Sequence, residues 1–222
     1  IGGGLRPIVG ERRTTALYMD GHAWNKNPDG SVTPSPRNAT VRMLEIIMTP
    51  HGFIRYAMQA DDLRMDTRWE SFRSTNREYT VSFTWHGPKG DYPITGWIDE
   101  DHHVQKVQTW FPSPVVGDQF VETRYAQWED YDGFAFGPEV HQSVGTPPHP
   151  SYDFHATDLA INVDGAPTEV PASVRGVADN AGEVTTTELA PGVWLIGGNR
   201  YYSVAMEFQD YSLVIEAPVN ET

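Results

Sequence analysis

From Tyr79 to Trp85 the chain alternates without a break: Tyr79, Val81, Phe83 and Trp85 share one side, and Thr80, Ser82 and Thr84 share the other. A period of two places one side of an extended strand in a core and leaves the other wet, a pattern that no helix can use. The chain then turns at His86-Gly87-Pro88-Lys89-Gly90 and returns over Pro93 to Ile98. A second turn at Asp99-Glu100-Asp101 leads into Val104 to Phe111. Further strand-like stretches run over Gln119 to Tyr131, Ala135 to Val144 and Tyr152 to Val163, interrupted by Asp132-Gly133 and by Thr146-Pro147-Pro148-His149-Pro150. Connections this short join antiparallel neighbours, so the expected framework is a meander of about six or seven strands.

Two helices interrupt the β pattern. Val41, Leu44, Ile47 and Met48 fall at helical spacing behind Asn38, a residue suited to capping. Thr49-Pro50 then reads as a cap followed by proline in the first turn, and Phe53, Tyr56, Ala57 and Ala60 repeat the stripe. Both apolar faces are expected to cover one face of the sheet. Arg12 to Met19 reads as an earlier strand, Asn27-Pro28-Asp29-Gly30 as a hairpin turn, and Asp61 to Arg73 as irregular or strand. The fold class that follows is mostly β (α+β), with residues 1–163 forming an antiparallel domain carrying two helices on one face.

Residues 164–187 are acidic, bear Pro and Gly and have little apolar periodicity, the texture of a linker. Residues 188–222 return to strands: Gly192 to Gly198, Ser203 to Phe208 and Ser212 to Ala217, the last almost continuously apolar, as a strand buried on both faces would be. Three strands do not close a core, so this end is expected to open a further domain.

Composition narrows the chemistry. Lys+Arg number 16 and Asp+Glu 30, a net charge of −14, which disfavours a phosphate backbone as partner. The absence of cysteine removes thiol nucleophiles, disulfides and sulfur-ligated metal sites. No apolar run approaches the roughly 18 residues of a membrane-spanning helix. Neither a Ser/His/Asp arrangement nor a phosphate-cradling glycine loop is visible.

The C-terminal strings Gly192-Val193-Trp194-Leu195-Ile196-Gly197-Gly198, Ser203-Val204-Ala205-Met206-Glu207-Phe208 and Val214-Ile215-Glu216-Ala217-Pro218-Val219-Asn220-Glu221 resemble the first strands of metallo-β-lactamase-fold hydrolases. Pro7 to Glu11, Leu17 to Trp24, Thr49 to Phe53, Gly96-Trp97-Ile98, Val107 to Trp110 and Gly117-Asp118 resemble the domain that precedes the catalytic fold in a bacterial subgroup of that superfamily. That domain is similar to a lipoprotein-carrier half-barrel, a curved antiparallel sheet with helices in its concavity. The resemblance implies a periplasmic or secreted zinc-dependent hydrolase as parent, with this chain as its accessory N-terminal region plus opening strands, truncated at both ends. The family's H-x-H-x-D-H zinc motif is not in this sequence. No zinc ligand or catalytic residue is therefore assigned here, and the chain alone is expected to be inactive. The implied partners are the missing catalytic half of the same protein, a second copy, or a hydrophobic small molecule.

Several residue sets carry alternative readings. Asp99, Glu100, Asp101, His102 and His103 suit either a divalent ion or a solvated turn. Asp153 and His155 share a strand face, suited to chelation, an oriented base or a cross-strand hydrogen bond. Trp85, Trp97, Trp110, Tyr125 and Phe136, with Trp128 and Phe134, are expected either to pack against the helices or to line a hydrophobic groove. In the hydrolase family the hairpin occupied here by Asn199, Arg200, Tyr201 and Tyr202 overhangs the metal site, so the resemblance implies these four as substrate contacts, the other reading being a plain solvent loop. The competing module, binding a hydrophobic ligand or mediating dimerisation without chemistry, rests on the aromatic sheet and its two amphipathic helices.

Overall fold

In a computed structural model of the chain, the described residues are 14–69, 77–113, 117–157, 159–161, 168–179, 185–197 and 202–215. They fall into two compact units, one within Ile1–Phe111 and Gln119–Val177, the other within Pro112–Asp118 and Ala178–Thr222. No helix among the described residues is long and apolar enough to cross a membrane.

The first unit opens with three antiparallel strands, β1 (Thr15–Met19), β2 (His22–Lys26) and β3 (Val32–Pro34), followed by helices α1 (Ala39–Met48) and α2 (Pro50–Ala57). The chain then builds β4 (Arg64–Trp69), β5 (Arg77–Gly87), β6 (Gly90–Ile98), β7 (Val104–Ser113) and β8 (Gly117–Ala126). A small hairpin of β9 (Glu129–Tyr131) and β10 (Phe134–Phe136) precedes β11 (Glu139–Val144) and β12 (His149–His155). Apart from that hairpin, the strands form one seven-stranded antiparallel sheet in the order β12-β11-β8-β7-β6-β5-β4. The mostly-β class expected from the alternation is what the chain adopts.

The core is the meeting of the helix stripe with one face of that sheet. Met43, Leu44, Ile47 and Met48 of α1 and Phe53 and Ala57 of α2 bury against Val81, Phe83, Tyr92, Ile94, Val107 and Val121. Thr49 caps α2 as its sequence suggests, its Oγ1 accepting from the Gly52 N–H at 3.1 Å. Asn38 does sit at the cap position of α1, but its amide donates backwards to Ser35 Oγ at 2.7 Å, so α1 has no side-chain cap.

Two glycines permit the helix placement. A Cβ at Gly52 would lie 1.9 Å from the Ile46 carbonyl oxygen, so only glycine lets α2 leave α1 so tightly. A Cβ at Gly96 would lie 2.3 Å from the Phe53 ring; the ring occupies the space that any other residue of β6 would fill. Phe53 is fully buried there and meets Phe83 at a centroid distance of 5.7 Å. Beyond it, the buried Tyr125 hydroxyl donates to the Met48 carbonyl at 3.0 Å, tying the end of α1 to β8.

Two long strands expected from the sequence are each broken in two. Gln127 takes a left-handed φ of 57°, ending β8, and Gly137-Pro138 separates β10 from β11. Proline has no N–H to give the ladder, and β11 pairs with β12 only from Glu139 opposite His155. That also ends β12 at His155; Val163, the expected end of this stretch, lies outside the described residues.

Residues 168–179, inside the stretch expected as a linker, carry the short helix α3 (Ala172–Arg175). Val170 and Val174 are four apart and bury with Trp24 of β2 in a second apolar cluster. Arg42 of α1 fastens that end of the unit, donating to the carbonyls of Leu17 at 2.9 Å and Trp24 at 2.6 Å.

In the other unit, β13 (Thr185–Ala190), β14 (Val193–Gly197), β15 (Ser203–Glu207) and β16 (Ser212–Ile215) form an antiparallel sheet in that order. The three strands expected after residue 188 are thus joined by a fourth that begins within the expected linker.

The Gly96–Phe53 contact makes a direct stability prediction. Gly96→Ala should destabilise by about 1–3 kcal/mol through overpacking, and Phe53→Ala by about 3–5 kcal/mol through the cavity it leaves. Chemical denaturation of the two variants measures both; a Gly96→Ala chain as stable as the parent would show that the ring is not held there.

Candidate functional site

The inner stripe of α2 is spent on the core, and its outer side forms one wall of a groove of about 500 Å³. Pro50, His51, Ile54 and Arg55 of the helix, with Met58 and Gln59 just after it, make that wall. His102, His103 and Val104 at the entry to β7 face it, and Trp128 and Ala135 complete it.

Each wall has a local cause. The β6–β7 turn is built on Asp99: its backbone N–H donates to the His103 carbonyl at 3.0 Å, and its Oδ1 accepts from the His103 N–H at 2.8 Å. The other carboxylate oxygen accepts from Gln105 Nε2. His102 is thereby held at a left-handed φ of 65°, an uncommon state for a side-chain-bearing residue. On the opposite wall, the break at Gln127 brings Trp128 out of the ladder. Its indole stacks on His103 at 4.7 Å with planes 7° apart, while a Cβ at Gly137 would come within 3.2 Å of it. The indole Nε1 is buried with no acceptor among the described residues. His51 stacks on Phe134 at 4.2 Å and 14°. Desolvation there pushes the His51 imidazole below its ordinary value, opposed by a hydrogen bond to the Ala135 backbone.

The ionisable groups lining the groove are one arginine and three histidines, with no carboxylate, in a chain that carries 30 acidic residues. Arg55 is exposed and has no ion pair or hydrogen bond among the described residues. The lining is thus apolar and exposed at Ile54 and Met58, with Trp128 half-buried and Val104 buried, and it carries a cation at Arg55. It can hold a molecule, but it presents no nucleophile paired with a base.

The aromatic residues expected to line a common groove do not share one surface. Trp85 and Tyr125 lie on the helix-covered face, Trp85 against Tyr92 at 5.3 Å and Tyr125 buried beside Met48. Trp97 and Trp110 lie on the opposite face. Trp97 is paired with Lys106, whose Nζ lies 4.3 Å from the indole centroid, and Trp110 meets Phe120 edge-on at 5.2 Å. The cause is strand parity: on β6 and β7 these tryptophans fall between the residues that pack on Phe53. Phe136 is half-buried on β10, away from all four in the strand order. Of the wider aromatic set, only Trp128 lines the α2 groove.

Asp99, Asp101 and His103 bring one ligand atom each within 4.8 Å of one another. Asp99, however, spends both oxygens on its own turn, and three ligands from one turn do not reproduce the H-x-H-x-D-H arrangement on which the hydrolase family's zinc depends. The described residues do not fit that centre. Asp153 pairs with His141, directly opposite it on β11, at 2.8 Å rather than with His155. Glu139 lies 3.4 Å from the other ring nitrogen of His141. In the C-terminal unit, Asn199, Arg200 and Tyr201 lie outside the described residues. Tyr202 is exposed, its ring lying over Gly197, where a Cβ would be 2.6 Å away.

Comparison with family models, with curated proteins and with solved structures gave no match.

The His141–Asp153 pair predicts a pH effect. The hydrogen bond that the His141 ring donates to the Asp153 carboxylate raises the imidazole above its ordinary value, with Glu139 acting in the same direction. Its stabilisation is therefore complete below that ordinary value and fades as the pH rises through the raised one. Titration of the His141 ring signals by NMR should give a midpoint that falls in Asp153→Asn; an unchanged midpoint would dissolve the pair.

Proposed function

We propose that the chain is the accessory N-terminal region, with the opening strands, of a zinc-dependent metallo-β-lactamase-fold hydrolase. The observation that carries this reading is the C-terminal sheet. The strings that resemble the family's first strands fall on β14, β15 and β16, and consecutive residues Leu213, Val214 and Ile215 are all exposed. A strand apolar on both of its faces requires cover on both, as in the interior of a layered α/β fold, and none is supplied among the described residues. In this reading the zinc ligands lie outside these 222 residues, and the hairpin at Asn199 to Tyr202 reaches toward substrate. The resemblance also favours a periplasmic or secreted setting.

Within such a protein, the N-terminal unit is a binding module. This second reading rests on the α2 groove, which is largely apolar, large enough for a small organic ligand and lined by no nucleophile paired with a base. The half-barrel resemblance supports the same role.

Intact mass and elemental analysis of the protein isolated from the cells that make it test the hydrolase reading. We expect a species substantially heavier than 24.9 kDa carrying zinc, and no stoichiometric zinc on the 222-residue chain alone. A native species of 24.9 kDa without zinc would overturn the reading.

A further inference from the structure

We propose that the α2 groove binds a small amphipathic anion, its hydrocarbon body against Ile54, Met58 and Trp128 and its carboxylate or equivalent group at Arg55. The inference rests on the binding-module reading above and adds the ligand class.

Two observations carry it. The first is apolar exposure on the outer side of a helix whose inner side already fills a core. Met58 is 80% exposed and Ile54 37%, on the same wall of a concave surface. Apolar side chains four residues apart on the solvent side of a helix gain nothing in the isolated unit, and they gain about 25 cal/mol per Å² when a hydrocarbon covers them.

The second is charge. The chain carries 30 acidic and 16 basic residues, so a surface chosen at random would expose carboxylates. The groove lining has none and instead offers one permanent cation, Arg55. Arg55 is not committed to any partner among the described residues, and a guanidinium can take a carboxylate through two parallel hydrogen bonds. The carboxylates of the adjacent turn are not part of the lining, and that of Asp99 accepts from the His103 N–H and from Gln105. A cationic ligand would meet Arg55 unscreened, and a purely apolar one would leave it unused.

Calorimetric titration of the full chain with dodecanoate, dodecanol and dodecyltrimethylammonium, each below its aggregation concentration, tests the assignment. Dodecanoate should bind one per chain and most tightly. Arg55→Gln should weaken it about two- to five-fold, the range for an exposed ion pair, and leave dodecanol unchanged. Met58→Glu, at a site too exposed to disturb folding, should weaken both dodecanoate and dodecanol. Binding of none of the three probes would remove the binding-module reading itself. Equal affinity for all three, or an Arg55→Gln chain that keeps its preference for dodecanoate, would overturn the anion assignment and leave that reading standing. Binding indifferent to Met58→Glu would overturn the groove as the site.

Discussion

The seating of one aromatic ring on one glycine sets the geometry of the N-terminal unit. Phe53 is fully buried, and its ring occupies the volume that a Cβ on Gly96 would take. Burial of a phenylalanine side chain is worth about 1.5–3 kcal/mol, and here it also fixes the height of α2 above β6. Gly52 cooperates by letting α2 start against the Ile46 carbonyl, so both helices reach the sheet without a longer connection. With its inner stripe anchored there, α2 has to present Ile54, Arg55 and Met58 outward, toward the turn that enters β7. The wall that α2 gives the groove is therefore a consequence of how the core closes.

Polar groups inside the unit reinforce that arrangement. Tyr125 reaches the end of α1, and Gln142 of β11 donates to Thr123 Oγ1 and to the Tyr152 hydroxyl at 3.1 and 3.2 Å. Burial holds the Tyr125 phenol protonated far above its ordinary range, so it acts as a donor at every physiological pH. At the other end of α1, the three-stranded sheet and α3 close on Trp24, and Arg42 satisfies backbone carbonyls of β1 and β2. The sheet β13–β16, taken by itself, shows the opposite economy, since its last strand leaves apolar residues exposed.

Much of the framework was legible because it obeys simple periods. The alternation at Tyr79 to Trp85 and the Thr49-Pro50 cap each have a single local cause, and both elements formed where their residues pointed. The expected groove was not legible in the same way. Reading aromatic residues as a set ignores strand parity, which puts Trp97 and Trp110 on the face away from Trp85 and Tyr125. The actual groove had a signal, Ile54 and Met58 four apart on the side of α2 that the stripe leaves outward, but its other walls come from His102–Val104 and Trp128, far away in sequence. Gln127 in a left-handed conformation and Pro138 bring Trp128 there, and neither announces a groove on its own. The core made by Val170 and Val174 was hidden for a similar reason: two valines in an acidic stretch carry no period, and only Trp24, far earlier in the chain, gives them a partner.

The claim that ties fold to function is that the outer side of α2 is the working surface of the N-terminal unit. Methyl-selective NMR of the full chain with added dodecanoate tests it directly. The account predicts shifts at Met58, Ile54 and Val104 with Leu213, Val214 and Ile215 unmoved. Shifts confined to those three residues of β16, or none at α2, would contradict it.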